Sequence, residues 1–262
     1  LAFFFLFFLF SVNSFSQFSK THYIPPISTS GFGSSSPEIQ YLYVSTPNEN
    51  PVNVIITPIG GTPLAVTVSN SQPYEYFMGD GSDTNFIALS GDSGAVYTDK
   101  GYIIEGEDLI YISARLFTSS SYYQAAGLVS KGLAALGKTF RVGTFESVGS
   151  DPAGNFLNFV SVLATEDNTT VNFSDFPNGA TIINNAATND ILLNSGESYV
   201  IAIQPTSVNP DNDNAMIGVL VESDKPIAVN SGSITGSNQN TDTDANGQDA
   251  GMDQIVPLER VG

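Results

Sequence analysis

Hydrophobic residues in this chain occur in short runs that often alternate with polar residues. The runs are rich in Val, Ile, Tyr, Phe and Thr, and clusters of Gly, Asn, Ser, Asp and Pro separate them. Such alternation between turn-forming clusters is typical of half-buried β-strands. In the first half it predicts strands that begin near Tyr41, Val52, Leu64, Tyr74, Phe86, Gly101 and Leu109. In the second half it predicts strands that begin near Phe159, Thr170, Ala180, Asp190, Glu197, Met216 and Pro226.

Helical periodicity is nearly absent from the same sequence. Residues 126–137 (AGLVSKGLAALG) are the only stretch whose pattern predicts a short helix. The last residues, 251–262 (GMDQIVPLERVG), read as a turn-rich segment. The pattern therefore indicates an all-β fold.

The order of strands in the first half recurs in the second. Residues 46–52 (TPNENPV) align with residues 165–171 (TEDNTTV), about 120 positions later, and Glu105 aligns with Glu222. Six or seven short strands in a unit of that length are typical of a β-sandwich. We therefore predict two tandem, repeated β-sandwich-like units, with a propeller-like arrangement of repeats as the alternative. The predicted units span residues 17–143 and 144–262, and we expect the second to continue beyond Gly262.

The first residues form an apolar run, LAFFFLFFLFSV. This run is too short to span a bilayer as a mature helix and has the length of a signal-peptide core. Ser14 and Ser16 are small residues at the positions that precede a cleavage before Gln17. The sequence therefore predicts a signal peptide at residues 1–16, export to the extracellular space or outer cell surface, and no membrane span in the mature chain.

Composition narrows the classes of function. The 26 acidic and 8 basic residues give a formal charge of −18, and the basic residues are scattered. Nucleic acid is therefore not an expected partner, because phosphate binding requires grouped Lys and Arg. The absence of Cys and the single histidine, His22, exclude disulfides, thiolate metal sites and multi-histidine metal centres. The sequence GDSG at residues 91–94 resembles a protease nucleophile loop, but no strand is predicted that would hold His22 as its base.

An acidic loop near the end of the chain fits a calcium-loop spacing. A calcium loop of this kind places oxygen ligands at alternate positions and a glycine at its sharp turn, here Gly247. Ala250 at the ninth position, an Asp in place of the final Glu and the lack of flanking helices favour a solvated hairpin loop instead. Both interpretations stay open. The five candidate Ca²⁺ ligands are Asp242, Asp244, Asn246, Gln248 and Asp253.

Several segments together resemble the IgGFc-binding protein N-terminal domain family, as found in large exported surface proteins of gliding Bacteroidota-type bacteria. These segments are FSKTHYIPP from Phe18, KGYIIEGEDLIYISAR from Lys100, GLVSKGLAALGKTFRVG from Gly127, FVSVLATEDNTTVNFSD from Phe159, ESDKPIAVNSGS from Glu222 and MDQIVPLERVG from Met252. The resemblance implies a non-enzymatic module of a longer protein that is associated with type IX secretion and gliding motility. It supplies no catalytic or immunoglobulin-contacting residues.

We therefore expect an exported, cell-surface or secreted binding or adhesion module without catalytic activity. Its ligand would be an extracellular protein or a glycan, and exposed aromatic residues such as Tyr122 and Tyr123 could contribute to such a surface. A structural spacer and a non-catalytic accessory part of a glycan-acting enzyme are the alternatives. No catalytic residues and no cofactor other than Ca²⁺ are predicted.

Overall fold

The computed structural model describes residues 17–31, 39–117, 125–143, 157–204, 210–236 and 249–261. The predicted signal peptide and the candidate ligands Asp242, Asp244, Asn246 and Gln248 lie outside the described residues. The described part is all-β, with 3₁₀ turns as its helical elements, as the sequence predicted. Its strands are β1 (Ser19–Ile24), β2 (Ile27–Thr29), β3 (Ile39–Ser45), β4 (Val52–Pro58), β5 (Leu64–Val68), β6 (Tyr74–Gly79), β7 (Ile87–Leu89), β8 (Val96–Tyr97), β9 (Tyr102–Phe117), β10 (Ala126–Val129), β11 (Gly137–Arg141), β12 (Asn158–Ala164), β13 (Thr169–Ser174), β14 (Ile191–Leu193), β15 (Ser198–Ile203), β16 (Leu220–Gly236) and β17 (Asp249–Gln254).

The strands form two large curled sheets with the same connectivity. In the first sheet the order is β5-β4-β9-β3-β6, and β1 and β10 also pair with β9. In the second sheet the order is β14-β13-β16-β12-β15-β8, and β11 and β17 also pair with β16. Each strand of the series β1, β3, β4, β5, β6, β9, β10 thus has a counterpart in the series β11 to β17. We call these two series the first unit and the second unit.

Strand register confirms the internal repeat. Glu105 of β9 lies opposite Ile55 of β4 and Thr21 of β1. Glu222 of β16 lies opposite Asn172 of β13 and Thr139 of β11. The two glutamates that the sequence alignment placed together therefore occupy the same position in the two units. Duplicated connectivity of this kind supports two tandem sandwich-like units.

One long strand runs through each unit where the sequence predicted two. The segments from Gly101 and Leu109 form the single strand β9, and those from Met216 and Pro226 contribute to the single strand β16. The first part of β9 pairs with β1 and β4, and its last part pairs with β3 and β10. The polar residues between these parts predicted a turn from the sequence. In the structure each strand instead continues from one layer of its unit to the other.

Alternation along the strands decides which side chains enter the core. In β3, Leu42 and Val44 are fully buried, whereas Tyr41 and Tyr43 on the other side are partly exposed. Leu42 and Val44 belong to a cluster with Val54, and Val160 belongs to a second cluster centred on the second unit. Each cluster fills the space between the two layers of one unit, which is the expected core of a sandwich.

The first half of the chain also covers the second unit. Strands β2 and β7 form a parallel pair, β2 lies against β12 and β16, and β8 pairs with the edge strand β15. Residues of the second unit on this side belong to the core cluster of the first unit. They are Phe159, Val200, Ile234, Ala250 and Met252. Both units therefore contribute to this cluster, and the second cluster belongs to the second unit.

Three local predictions were wrong. The predicted helix at 126–137 is strand β10 followed by a 3₁₀ turn at Gly132–Ala135. Gly132 has a φ of +55°, which interrupts any helix there, and a Cβ added to it would lie 2.2 Å from the Cβ of Ser19. The segment from Ala180 contains a 3₁₀ turn at Ile183–Asn185 in place of a strand. The turn-rich segment from residue 251 begins with the last residues of β17.

The boundary between the units at residue 143 remains a prediction. Gly137–Arg141, which falls within the first predicted range, pairs with β16 of the second sheet. Its counterpart β1 pairs in the same way with β9. This pairing favours a boundary between the 3₁₀ turn at Gly132–Ala135 and Gly137. Among the described residues, no helix is long and apolar enough to cross a membrane.

Candidate binding face on the first unit

Four aromatic side chains cluster on the outer side of the first sheet. Tyr41 of β3 is central: its ring centroid lies 5.5 Å from that of Phe77 and 5.7 Å from that of Phe117. Tyr43 lies 6.2 Å from Tyr41 and 6.4 Å from Phe117. These tilted and edge-on contacts are within the range in which aromatic rings attract one another. We call Tyr41, Tyr43, Phe77 and Phe117 the aromatic face.

Strand register explains why these rings meet. Tyr41 lies opposite Phe77 of β6 on one side and opposite Arg115 of β9 on the other. Phe117 lies opposite Ile39, two residues before Tyr41 and on the same side of the strand. Side chains from three neighbouring strands therefore form one surface. The pairing of β3 with β6 and β9 holds their backbones in place, with a register shift in the β6 pairing between Gln40 and Tyr41.

The aromatic face is accessible to a partner. Phe77 has 56% of its surface exposed and Phe117 has 39%. Isolated exposed apolar residues are common, but a contiguous group of rings on the outer side of a sheet marks an interaction site more often. Aromatic side chains also give a large contact area at a small cost in conformational entropy. The face thus has the chemistry of a macromolecular binding surface.

Charged residues of both signs border the rings. Glu75 lies opposite Tyr43 in the pairing of β3 with β6. A hydrogen bond to the Glu75 side chain is the main reason that the pKa of Tyr43 is raised above its ordinary value, and the positive charge of Arg115 opposes the rise. The hydroxyl of Tyr43 therefore donates its hydrogen bond to the Glu75 carboxylate. Together these groups add polar specificity to an apolar surface.

Asp253, the one candidate calcium ligand among the described residues, has a partner of its own. The Asp253 carboxylate accepts a hydrogen bond of 2.8 Å from Lys131 Nζ, and 66% of its side-chain surface is exposed. Among the described residues, no group of three or more His, Asp or Glu side chains could hold a metal ion. Since the other four candidate ligands are outside the described residues, calcium binding stays a prediction.

The histidine that a protease triad would require has structural partners instead. His22 is fully buried, and its Nδ1 lies 2.9 Å from Ser130 Oγ. Its Nε2 lies 3.1 Å from the carbonyl oxygen of Ile110, so Nε2 carries the proton and Nδ1 accepts from the serine. Burial lowers the pKa of His22 to about 4. Ser93 of the GDSG segment contacts the backbone of Val200 and Ala202 in the second unit, so it serves the packing between the units.

Comparison with known proteins identifies the family. A family model described as IgGFc binding protein matches residues 126–262. The chain belongs to the IgGFc-binding protein family. No curated protein and no solved structure gave a match. Members of this family are binding modules, typically extracellular or secreted, and are not known as enzymes.

The matched region of this IgGFc-binding family member begins with β10 and includes the whole second unit. The aromatic face lies on β3, β6 and β9, before the matched residues. Topological duplication nevertheless makes the first unit a counterpart of the matched one. The candidate face is thus a feature of this chain in addition to its family membership.

Sequence reasoning did not single out the aromatic face. It noted Tyr122 and Tyr123, which are outside the described residues. A usable signal was present in YLYVS at residues 41–45, where aromatic residues alternate with Leu42 and Val44. Because one side of such a strand enters the core, large apolar residues on both sides indicate either a second covering layer or an exposed binding surface. The choice required the sheet neighbours.

Proposed function

We propose that this chain is an exported, non-catalytic binding module that holds an extracellular macromolecule on the aromatic face. The observation that carries the proposal is the contiguous cluster of Tyr41, Tyr43, Phe77 and Phe117 on the exposed side of three paired strands. Membership in a family of binding modules supports the same conclusion. The chain would act in adhesion or in capture of a ligand, as one part of a longer surface protein.

His22 and Ser93, the residues that a protease-like motif would use, both make structural contacts. The fully buried His22 bonds to Ser130 and to backbone carbonyls, and Ser93 contacts the backbone of the second unit. Both are therefore committed to packing. Calcium at the acidic loop and a setting in type IX secretion or gliding motility are further parts of the proposal, supported by the sequence pattern and the resemblance.

The proposal is tested by capture on a panel of extracellular molecules. The purified full chain is immobilised and exposed to mucin, immunoglobulin Fc, other extracellular proteins and a glycan array. Phe77→Ser removes an exposed ring from the face, and Leu192→Ser is the matched control because Leu192 is a similarly exposed apolar residue of the second unit, at 57% against 56%.

We expect at least one ligand that binds the unmodified chain and Leu192→Ser but binds Phe77→Ser at least about tenfold more weakly, as for an aromatic residue central to an interface. If no molecule of the panel binds, the alternative function as a structural spacer is favoured. Binding that Phe77→Ser leaves unchanged would place the site elsewhere on the molecule.

A further inference from the structure

The outer side of the first sheet has a counterpart in the second unit. Leu42 lies between Tyr76 and Ala114 in the first sheet, and Val160 lies between Ile201 and Ser231 in the second. Leu42 and Val160 both face the core of their own unit. By alternation, the opposite sides also correspond. The pairs of equivalent outward positions are Tyr41 and Phe159, Tyr43 and Ser161, Ser113 and Asn230, and Val129 and Gln254.

On the second unit this outer side is occupied by a stretch of polypeptide from the start of the chain. The stretch, residues 23–29 (YIPPIST), continues from β1 through Pro25 and Pro26 into β2. Its apolar residues Ile24 and Ile27 are fully buried and share a core cluster with Phe159, which lies on the covered side. An extended, proline-containing segment is therefore the internal ligand of that surface.

Side-chain donors of the second unit bind the backbone carbonyls of this segment. Gln254 Nε2 donates to the carbonyl oxygen of Tyr23 at 2.7 Å, and Asn230 Nδ2 donates to that of Pro25 at 2.8 Å. Ser161 Oγ donates to the carbonyl oxygen of Pro26. Proline has no backbone N–H, so carbonyl oxygens are the only main-chain groups that it offers for recognition. Three side-chain donors of the second unit thus bind three carbonyl groups of this segment, two of which belong to the prolines.

On the first unit the equivalent surface has the same kind of groups but no covering segment among the described residues. Tyr41 and Tyr43 present aromatic rings where the second unit has Phe159 and Ser161, and Tyr41 adds a hydroxyl donor. Ser113, at the position of Asn230, is 2% exposed, and its hydroxyl has no hydrogen-bond partner. A buried hydroxyl without a partner costs free energy that a suitable acceptor would recover. The position that binds a proline carbonyl in the second unit is therefore unsatisfied in the first.

The edge of the sheet shows the same difference. In the second unit, β15 is followed in the strand order by β8, which comes from the first half of the chain. Its counterpart β6 is the terminal strand of the first sheet. Within the described part of the chain, the first unit thus has no counterpart of the segment and the strand that cover the outer side and the edge of the second unit.

We propose that the aromatic face of the first unit binds an extended, proline-containing polypeptide segment of another protein, in the way that the second unit binds residues 23–29. This inference rests on the proposed binding function and specifies its partner as protein. Aromatic side chains suit this ligand because proline-rich segments dock in surfaces lined by aromatic rings, and their limited freedom reduces the entropy lost on binding. The Tyr41 hydroxyl is a donor available for its carbonyl groups, and the Ser113 hydroxyl lies buried beneath this surface without a partner.

Two matched peptide libraries test the proposal on the purified full chain. Each displays seven-residue peptides with random residues except at the third and fourth positions, which are Pro-Pro in one library and Ala-Ala in the other. These positions correspond to Pro25 and Pro26 in residues 23–29. Peptides selected from either library are then titrated against the unmodified chain, Tyr41→Ser, Phe77→Ser and the control Leu192→Ser.

We expect enrichment from the Pro-Pro library at least about tenfold above the Ala-Ala library, and affinities at least about tenfold weaker for Tyr41→Ser and Phe77→Ser than for Leu192→Ser. Equal enrichment, or affinities that neither substitution changes, would overturn the inference. A dimer of the full chain that Phe77→Ser dissociates would also overturn it, since the occupant would then be a second copy.

The two proposals fail in different ways. A glycan or a folded protein surface that requires Phe77, without selection of proline peptides, would contradict the peptide inference and leave the binding function standing. If neither Tyr41→Ser nor Phe77→Ser changes the affinity for any panel ligand or peptide that binds, the function assigned to the aromatic face itself is contradicted.

Discussion

Replacing His22 should remove a pH-dependent part of the stability of this protein. The imidazole is fully buried, its Nδ1 accepts from Ser130, and its Nε2 donates toward the carbonyl oxygens of Ile110 and Ser19. Burial is the largest cause that lowers its pKa from 6.5 to about 4, and the two carbonyl contacts only partly oppose it. The folded state therefore holds His22 neutral over a pH range in which the unfolded chain binds a proton.

The size of the effect follows from the difference between the two pKa values. A lowering from 6.5 to about 4 corresponds to about 3 kcal/mol, at roughly 1.4 kcal/mol per unit. Because the unfolded state binds more protons, this stabilisation is complete above about pH 7.5 and is lost as the pH falls toward 4. The free energy of unfolding should thus decrease by up to about 3 kcal/mol across this range on account of His22 alone.

His22→Phe isolates this contribution, because the equivalent position of the second unit is the buried Phe140. His22→Gln is the second variant, which retains a side-chain donor and has no titrating group. Urea unfolding of all three proteins between pH 7.5 and 4 gives the free energies, and the wild type minus variant difference removes the contribution of the carboxylates. Differences that stay constant over this range in both variants would refute the assignment of the low pKa to His22.

Four further predictions concern the fold and the acidic loop. Phe159→Ala should cost about 3–5 kcal/mol and leave one cooperative urea transition for both units, because Phe159 lies in the core cluster to which both contribute; two separate transitions would contradict this. Gly132→Ala should destabilise more than Gly81→Ala in thermal melts, since both glycines have positive φ but only Gly132 has no space for a Cβ; equal losses would argue against the close contact. Asp253→Asn should change stability by less than about 1 kcal/mol, because its ion pair with Lys131 is exposed. If the loop holds calcium through Asp253, a chelator should lower the melting temperature of the wild type more than that of Asp253→Asn, and equal melting curves with no calcium signal in calorimetry would contradict the site.

The sequence was sufficient for many of the strands and for their repetition, because both depend on local alternation. The pattern placed Leu42 and Val44 on one side of β3 and Tyr41 and Tyr43 on the other, but did not decide which side faces the core. The sequence also paired Glu105 with Glu222, and the sheet register confirmed that alignment. These features repeat within the chain, so each half supports the interpretation of the other.

Other features depended on contacts between residues far apart in the chain. The segment from residue 126 has helix-forming residues, but β10 gains a full set of partners from β9, and Gly132 requires a positive φ. Polar residues near Asp108 and Asp224 suggested turns within strands that continue through them. The packing of Pro25 and Pro26 on the second unit has no local signal, because it depends on residues more than a hundred positions away, such as Ser161 and Asn230.

The candidate site shows the same limit. Tyr41, Phe77 and Phe117 are dispersed in the sequence, and only the order β9-β3-β6 brings them together. Their exposure depends on the absence, among the described residues, of a layer like the one that covers the second unit. A pattern of alternating residues predicts which side a ring is on, but not whether another segment covers that side.

Hydrogen exchange of the full chain, with and without a ligand captured from the panel, locates the binding surface. We expect slower amide exchange on binding in β3 and in the terminal strand β6, with no change in β14, which carries the exposed Leu192 of the second unit. Protection confined to the second unit, with β3 and β6 unchanged, would contradict the assignment of binding to the aromatic face.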